Sequence, residues 1–229
     1  MSLSLVKELR EKTGAGLLDC QKALGEAAGD PDKALRLLRE KGLAKAARKA
    51  SRVATDGAIG SYIHPGAKIG VLIEVNCETD FVAKTDEFQT LVRDLAMQVA
   101  AASPRWVRRE DVPEDELDSE RAIYRVQAEQ SGKPSQVIER IVAGQVERYL
   151  KDVCLLEQAF IKQSDRTVKD VVQEAIARLG ENVTVRRFAR FQLGESQERR
   201  AQEDKPADQK PADHKQVDKE TSAGGAPGA

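Results

Sequence analysis

The sequence predicts an α+β fold, with a helical N-terminal segment followed by a small antiparallel sheet packed on helices and a helical hairpin. Three observations carry this reading. Apolar residues recur at helical spacing over the first forty positions, switch to a period of two between residues 58 and 77, and return to helical spacing from Phe88. Turn chemistry punctuates the later part of the chain, at His64-Pro65-Gly66, Ser131-Gly132-Lys133-Pro134 and Gly180-Glu181-Asn182. Hydrophobic residues make up 40% of the 229 positions and aromatics only 4%, so the core must rest on Ala, Val, Leu and Ile.

Taken in order, Leu5, Val6 and Leu9 form the stripe of a first helix that ends before Thr13-Gly14-Ala15-Gly16. A second helix is expected from about Leu17 to Ala28, with Leu17, Leu24 and Ala28 at helical spacing. The third starts sharply: Asp30 caps it and Pro31 takes the first helical position, where a missing N–H costs little. Leu35 and Leu38 should face inward, and Gly42 is the expected stop. Residues 43–55 are Ala-rich, carry Lys45, Arg48, Lys49 and Arg52 without an acid, and read as a helical connector.

Ala58, Tyr62 and Ile63 then lead into the first turn. Beyond it Ile69, Val71, Ile73, Val75 and Cys77 alternate with Gly70, Leu72, Glu74 and Asn76, the pattern of a half-buried strand. Phe88, Leu91, Val92, Leu95 and Val99 share one helix face. Helices over roughly 115–130 and 135–152 meet at Gly132 as an antiparallel hairpin. A last helix spans about 167–179, and Val183–Phe188 reads as a final strand. The chain therefore divides into a three-helix module with its connector (1–54), an α+β core with the hairpin at 115–152 (55–195), and a tail (196–229). The tail has one Val, no aromatic residue and repeated Lys-Pro-Ala-Asp units, so it is expected to be disordered.

Charge and chemistry narrow the function. Lys and Arg number 37 against 38 Asp and Glu, yet residues 1–54 hold twelve cations and seven acids. No apolar run is long enough to cross a bilayer, and the N-terminus lacks the basic and apolar regions of a signal peptide. Three distant cysteines, Cys20, Cys77 and Cys154, have no metal spacing. A soluble cytoplasmic protein with reduced thiols is expected. No nucleophile elbow, Walker A loop, zincin helix or dinucleotide fingerprint is present, and the only histidines are His64 and His214. A Cys77–His64 nucleophile pair is conceivable, but Cys77 falls on the apolar phase of its strand, where buried inert thiols are far commoner. The basic stretch Lys41–Arg52 lacks interleaved aromatics and reads as a solvated helix face rather than a nucleic-acid surface.

Two segments resist a purely structural account. Leu17 and Leu18 open a helix together, and both cannot point into the same small core, so one is expected at the surface. In Cys77-Glu78-Thr79-Asp80-Phe81-Val82-Ala83, Phe81 follows an acid at a strand-to-helix junction. It is either a core residue stapling the helix entry or a projecting anchor for a partner's pocket.

These segments resemble the elongation factor Ts family, the guanine-nucleotide exchange factors of the translational GTPase elongation factor Tu. The resemblance rests on LVKELREKTGAGLLDCQKAL (5–24), HPGAKIGVLIEVNCETDFVAKTDEF (64–88) and LGENVTVRRFARF (179–191), and it covers residues 1–195. It implies that the N-terminal module is ubiquitin-associated-like and docks on elongation factor Tu through Arg10, Leu17 and Leu18. It implies that Thr79, Asp80, Phe81 and Val82 enter the GTPase near its magnesium site, with Phe81 as a wedge behind the switch region. The turn at Leu179-Gly180 would approach the phosphate-binding loop.

The resemblance also implies no enzyme chemistry, cofactor or metal in this chain, a cytoplasmic or equivalent organellar location, no membrane and no direct nucleic-acid partner. Short members pair through the core, so a homodimer in a two-plus-two complex is implied. This sequence departs from longer members in carrying the strand-rich unit once. Leu17 and Leu18 also stand where many relatives have methionine. Two other readings remain: a helical interaction protein without exchange activity, and an RNA-associated protein using Lys41–Arg52.

Overall fold

The computed structural model describes residues 3–130 and 132–195, so the tail expected over 196–229 lies outside the described residues. The chain divides into two units, Met1–Leu193 and Gly194–Ala229, and only Gly194 and Glu195 of the second are described. The observed architecture is α+β.

Helices α1 (Leu3–Thr13), α2 (Leu17–Glu26) and α3 (Pro31–Lys49) enclose a small core of Val6, Leu9, Cys20, Ala23, Leu24, Ala27, Ala34 and Leu38. Asp30 caps α3 as expected, its Oδ1 accepting from Asp32 N at 2.9 Å and Lys33 N at 3.1 Å. Three local expectations are corrected. α2 stops at Glu26, so Ala27 is the buried residue while Ala28 turns out in a left-handed conformation, φ 52°. Leu35 is exposed, because Ala34 and Leu38 take the inner face and Leu35 borders a cleft toward α8 (Val168–Leu179). Gly42 does not stop α3. A lone glycine inside a helix costs only about 1 kcal/mol, and here it permits close packing, since a Cβ on Gly42 would stand 3.4 Å from Ala177 Cβ.

The core is a three-stranded antiparallel sheet, β1 (Asp56–Ile63), β2 (Ile69–Cys77) and β5 (Thr184–Gln192), with β2 in the centre. The period of two puts Val71, Ile73, Val75 and Cys77 on the inner face. They meet Phe88, Leu95 and Val99 of α5 (Asp86–Ala102) and Val172 and Ile176 of α8 (Val168–Leu179). Thr85 caps α5, and a capping box of Thr167 and Asp170 opens α8. The burial of α5 agrees with the predicted stripe at all five positions.

α5 lies so close over β1 that a Cβ on Gly60 would overlap Val92 Cγ1. Gly60→Ala is therefore expected to destabilise the core by about 1–3 kcal/mol through overpacking. A thermal melt checks this, and an unchanged midpoint would show that α5 gives way freely.

The predicted hairpin is α6 (Glu114–Glu129) and α7 (Ser135–Val153), with its own core around Leu117, Val142, Val146 and Leu150. Three short elements carried too few residues to show a period: the single-turn helix α4 (Asp80–Ala83), and the pair β3 (Ala159–Phe160) and β4 (Gln163–Thr167). The latter is pinned by buried Gln98, which donates to Ala159 O at 3.2 Å and accepts from Ile161 N at 2.8 Å. On the outer sheet face Ile59, Ile63, Leu72 and Phe191 are exposed beside the ion pair Glu74–Arg187. Among the described residues no helix is long and apolar enough to cross a membrane.

Candidate functional site

Three segments remote in sequence converge at the C-terminal end of α8. The first is the junction after β2. Cys77 ends the strand on its buried phase, its thiol donating to Thr79 O at 3.1 Å, and burial pushes its pKa up. Thr79, in extended backbone, caps α4 by accepting from Val82 N at 3.4 Å. The single turn of α4 directs Val82 and Ala83 at the core and leaves Phe81 80% exposed. Pattern alone could not choose between staple and projecting ring, and the structure has it project. Asp80, in the first turn, accepts from Lys84 Nζ at 2.6 Å, a bond that holds its carboxyl below the usual carboxylate range.

The second segment is the end of α8. Gly180 takes the left-handed conformation, φ 80°, that closes a helix, and its carbonyl accepts from Lys49 Nζ at the end of α3. Leu179 is half-buried against the core, whereas Gly180 is exposed. Glu181 then reaches the first segment, accepting from Thr79 N at 3.0 Å and Thr79 Oγ1 at 2.6 Å.

The third segment is the turn between α1 and α2. Gly14, at φ 65°, lies against Arg178, where a Cβ would stand 2.5 Å from Arg178 Cδ. Arg178 Nε in turn pairs with Glu87 Oε1 at 2.8 Å.

The structure thus brings Thr79, Asp80, Phe81 and Val82 together with Leu179 and Gly180. Arg10, Leu17 and Leu18 are exposed on the N-terminal helices, Arg10 on α1 and both leucines at the head of α2, just after the turn that packs on Arg178. One leucine was expected outside, yet Leu17 is 49% and Leu18 68% exposed. The small core is closed by the layer of Cys20, Ala23 and Leu24, and the first residue of α2 lies beyond it.

Sequence reasoning missed Glu181, Arg178 and Lys49. Glu181 stood in a visible turn signal, but its partner Thr79 lies 102 residues away, and Lys49 reaches across 131. The basic stretch is solvent-exposed, as expected, and three of its cations are also ion-paired. Lys41 pairs with Glu26 at 2.7 Å, Lys45 with Asp19 at 2.9 Å and Arg52 with Glu78 at 3.5 Å.

Cys77 and His64 stand at opposite ends of the β1–β2 hairpin, Cys77 paired with Asp56 and His64 closing the turn, so they form no nucleophile pair. Among the described residues no group of three or more His, Cys, Asp or Glu side chains converges as metal ligands. The arrangement offers an apolar wedge beside a carboxylate on a braced turn, and a second apolar surface on the N-terminal helices.

Residues 37–195 match the family model described as Elongation factor TS. The chain is 60% identical over 191 residues to Elongation factor Ts of Carboxydothermus hydrogenoformans, covering 83% of this chain and 88% of the relative. It is 56% identical over 200 residues to Elongation factor Ts of Desulforamulus reducens, covering 87% and 92%. With Elongation factor Ts of Geotalea uraniireducens it shares 59% identity over 190 residues, covering 83% and 88%. The surfaces described above thus sit on a chain that matches these relatives over most of its own length and theirs, and it belongs to the elongation factor Ts family.

Proposed function

We propose that this protein is the guanine-nucleotide exchange factor of elongation factor Tu, binding the GDP-bound GTPase and promoting GDP release without covalent chemistry of its own. Membership of the elongation factor Ts family supports the role in translation elongation. The observation that carries the mechanism is Phe81, a large apolar ring 80% exposed on a capped one-turn helix. Exposing such a ring gives up the burial that phenylalanine gains in a core, on the order of 2 kcal/mol, which a partner's pocket recovers on binding.

GDP is held in a translational GTPase by phosphate-loop amides, a lysine and Mg²⁺ bridging to the β-phosphate. An exchange factor needs only to bind the nucleotide-free state better than the nucleotide-bound one. By linkage it then weakens nucleotide by the same factor. Mg²⁺ demands near-ideal octahedral geometry, so a wedge that shifts its surroundings by a fraction of an ångström suffices. In this reading Phe81 wedges, Asp80 lies beside it near the magnesium site, Leu179-Gly180 approaches the phosphate loop, and Arg10, Leu17 and Leu18 dock the N-terminal helices. The protein works in the cytoplasm or the equivalent organellar compartment.

Stopped-flow release of fluorescent GDP from purified elongation factor Tu tests the proposal. A saturable acceleration is expected. A fully active cognate GTPase that releases GDP no faster in its presence would remove the exchange role and leave a binding module.

The homodimer is part of the same proposal. The outer sheet face offers Ile59, Ile63, Leu72 and Phe191 to solvent, and stacking two such faces would bury all four on each copy. Light scattering is expected to give about twice the chain mass of 25.1 kDa, and Leu72→Glu to return it to the monomer value. A wild-type chain that is monomeric both alone and with elongation factor Tu would sink the two-plus-two complex.

A further inference from the structure

We propose that Glu181 is a positioning residue for exchange: its carboxylate fixes the start of α4 and so sets the direction in which Phe81 leaves the surface. This rests on the exchange reading above and goes further, to a residue that reading does not include. Glu181 Oε2 accepts from Glu78 N at 3.1 Å and Thr79 N at 3.0 Å, and Oε1 accepts from Thr79 Oγ1 at 2.6 Å. Both amides lie between the last residue of β2 and the first of α4, a stretch where neither ladder nor helix supplies an acceptor. Because the Thr79 hydroxyl donates to Glu181, its lone pairs are turned toward Val82 N, the cap of the helix that carries Phe81.

The contact is reciprocal. Glu78 Oε1 accepts from Asn182 N at 2.7 Å, and Asn182 Nδ2 donates to Arg52 O at 2.7 Å while Arg52 pairs with Glu78. The turn bearing Phe81 and the turn at Leu179-Gly180 are therefore one braced unit.

The chemistry selects a carboxylate. Three donors converge on one side chain, which an ionised carboxylate accommodates with lone pairs to spare and whose charge strengthens each bond. A single turn is far too short to be stable as an isolated helix, and the exposed ring has little packing to orient it. Its direction comes from how the turn begins.

A double-mutant series reads this directly. Glu181→Ala is expected to slow GDP release at saturating factor about tenfold in the wild-type background. In Phe81→Leu, which keeps exchange measurable, the added loss should shrink to about twofold, because a misdirected wedge is already impaired. In Leu17→Ala, which touches the other surface, the full tenfold should remain. Glu181→Gln, with one acceptor oxygen left, should fall between wild type and alanine, and it serves if the alanine variant melts early. Equal losses in the Phe81→Leu and Leu17→Ala backgrounds, or no loss in either, would overturn the positioning role while leaving exchange intact. A wild-type chain that never accelerates release would instead overturn the exchange reading, and this inference with it.

Discussion

Phe81→Ala is expected to slow GDP release from elongation factor Tu by about a hundredfold at saturating factor, with the melting midpoint within a few degrees of wild type. The kinetic half of this expectation follows from the interface role. Buried aromatic anchors cost roughly 2–4 kcal/mol when truncated, and each 1.4 kcal/mol is a factor of ten. The stability half follows from exposure: a ring 80% open to solvent removes almost no buried area when it is cut back. Phe88, seven residues on and wholly buried under the sheet, marks the contrast, since truncating it would damage the fold first. The split between the two readouts is the test. Exchange at the wild-type rate in Phe81→Ala would exclude the wedge, and early melting would mean that the ring has a structural duty its exposure conceals.

The second large effect is expected at the head of α2. Leu17→Asp together with Leu18→Asp should weaken binding to nucleotide-free elongation factor Tu about a hundredfold, with release at saturation changed less than threefold. Two exposed leucines that become buried against a partner contribute about 1.5–3 kcal/mol each, and a buried unpaired carboxylate reverses the sign of that contribution. Aspartate is the informative choice because it suits the first turn of a helix, where the backbone dipole favours negative charge. Folding is therefore preserved while the surface is changed. Titration calorimetry against nucleotide-free GTPase measures the affinity, and a wild-type value would separate the N-terminal helices from the contact. Loss of affinity at Leu17 and Leu18 with loss of rate at Phe81 would assign docking to the head of α2 and displacement to α4.

Much of this was legible in the chain wherever a pattern had room to repeat. Nine residues of β2 and seventeen of α5 displayed their periods plainly, and Asp30-Pro31 announced the start of α3. Short elements were opaque for the same reason: β3 has two residues and α4 four. Gly42 misled because the property that ends helices, a missing side chain, also lets two helices touch, and only the proximity of Ala177 shows which purpose applies. At the candidate site the sequence marked one spare leucine of the pair Leu17-Leu18 and left Phe81 open between core and surface, whereas all three are exposed. The supports of these residues left no such mark. Glu181, Arg178 and Lys49 act on partners distant in sequence, and nothing in a charged residue's neighbours announces a bond across a hundred positions.

The unbroken run of α3 has a consequence for how the two surfaces work together. Its nineteen residues form a strut of about 28 Å at 1.5 Å per residue, seated on α8 at Ala177 and tied to Gly180 through Lys49. A flexible connector would hold the second surface near its target at an effective concentration in the millimolar range. A strut removes most of that search. The head of α2 is itself tied to the C-terminal half of that strut, Asp19 pairing with Lys45 at 2.9 Å. In the proposed complex the seating of Leu17 and Leu18 therefore leaves the turn that bears Phe81 already placed, and the two contacts share one rigid support.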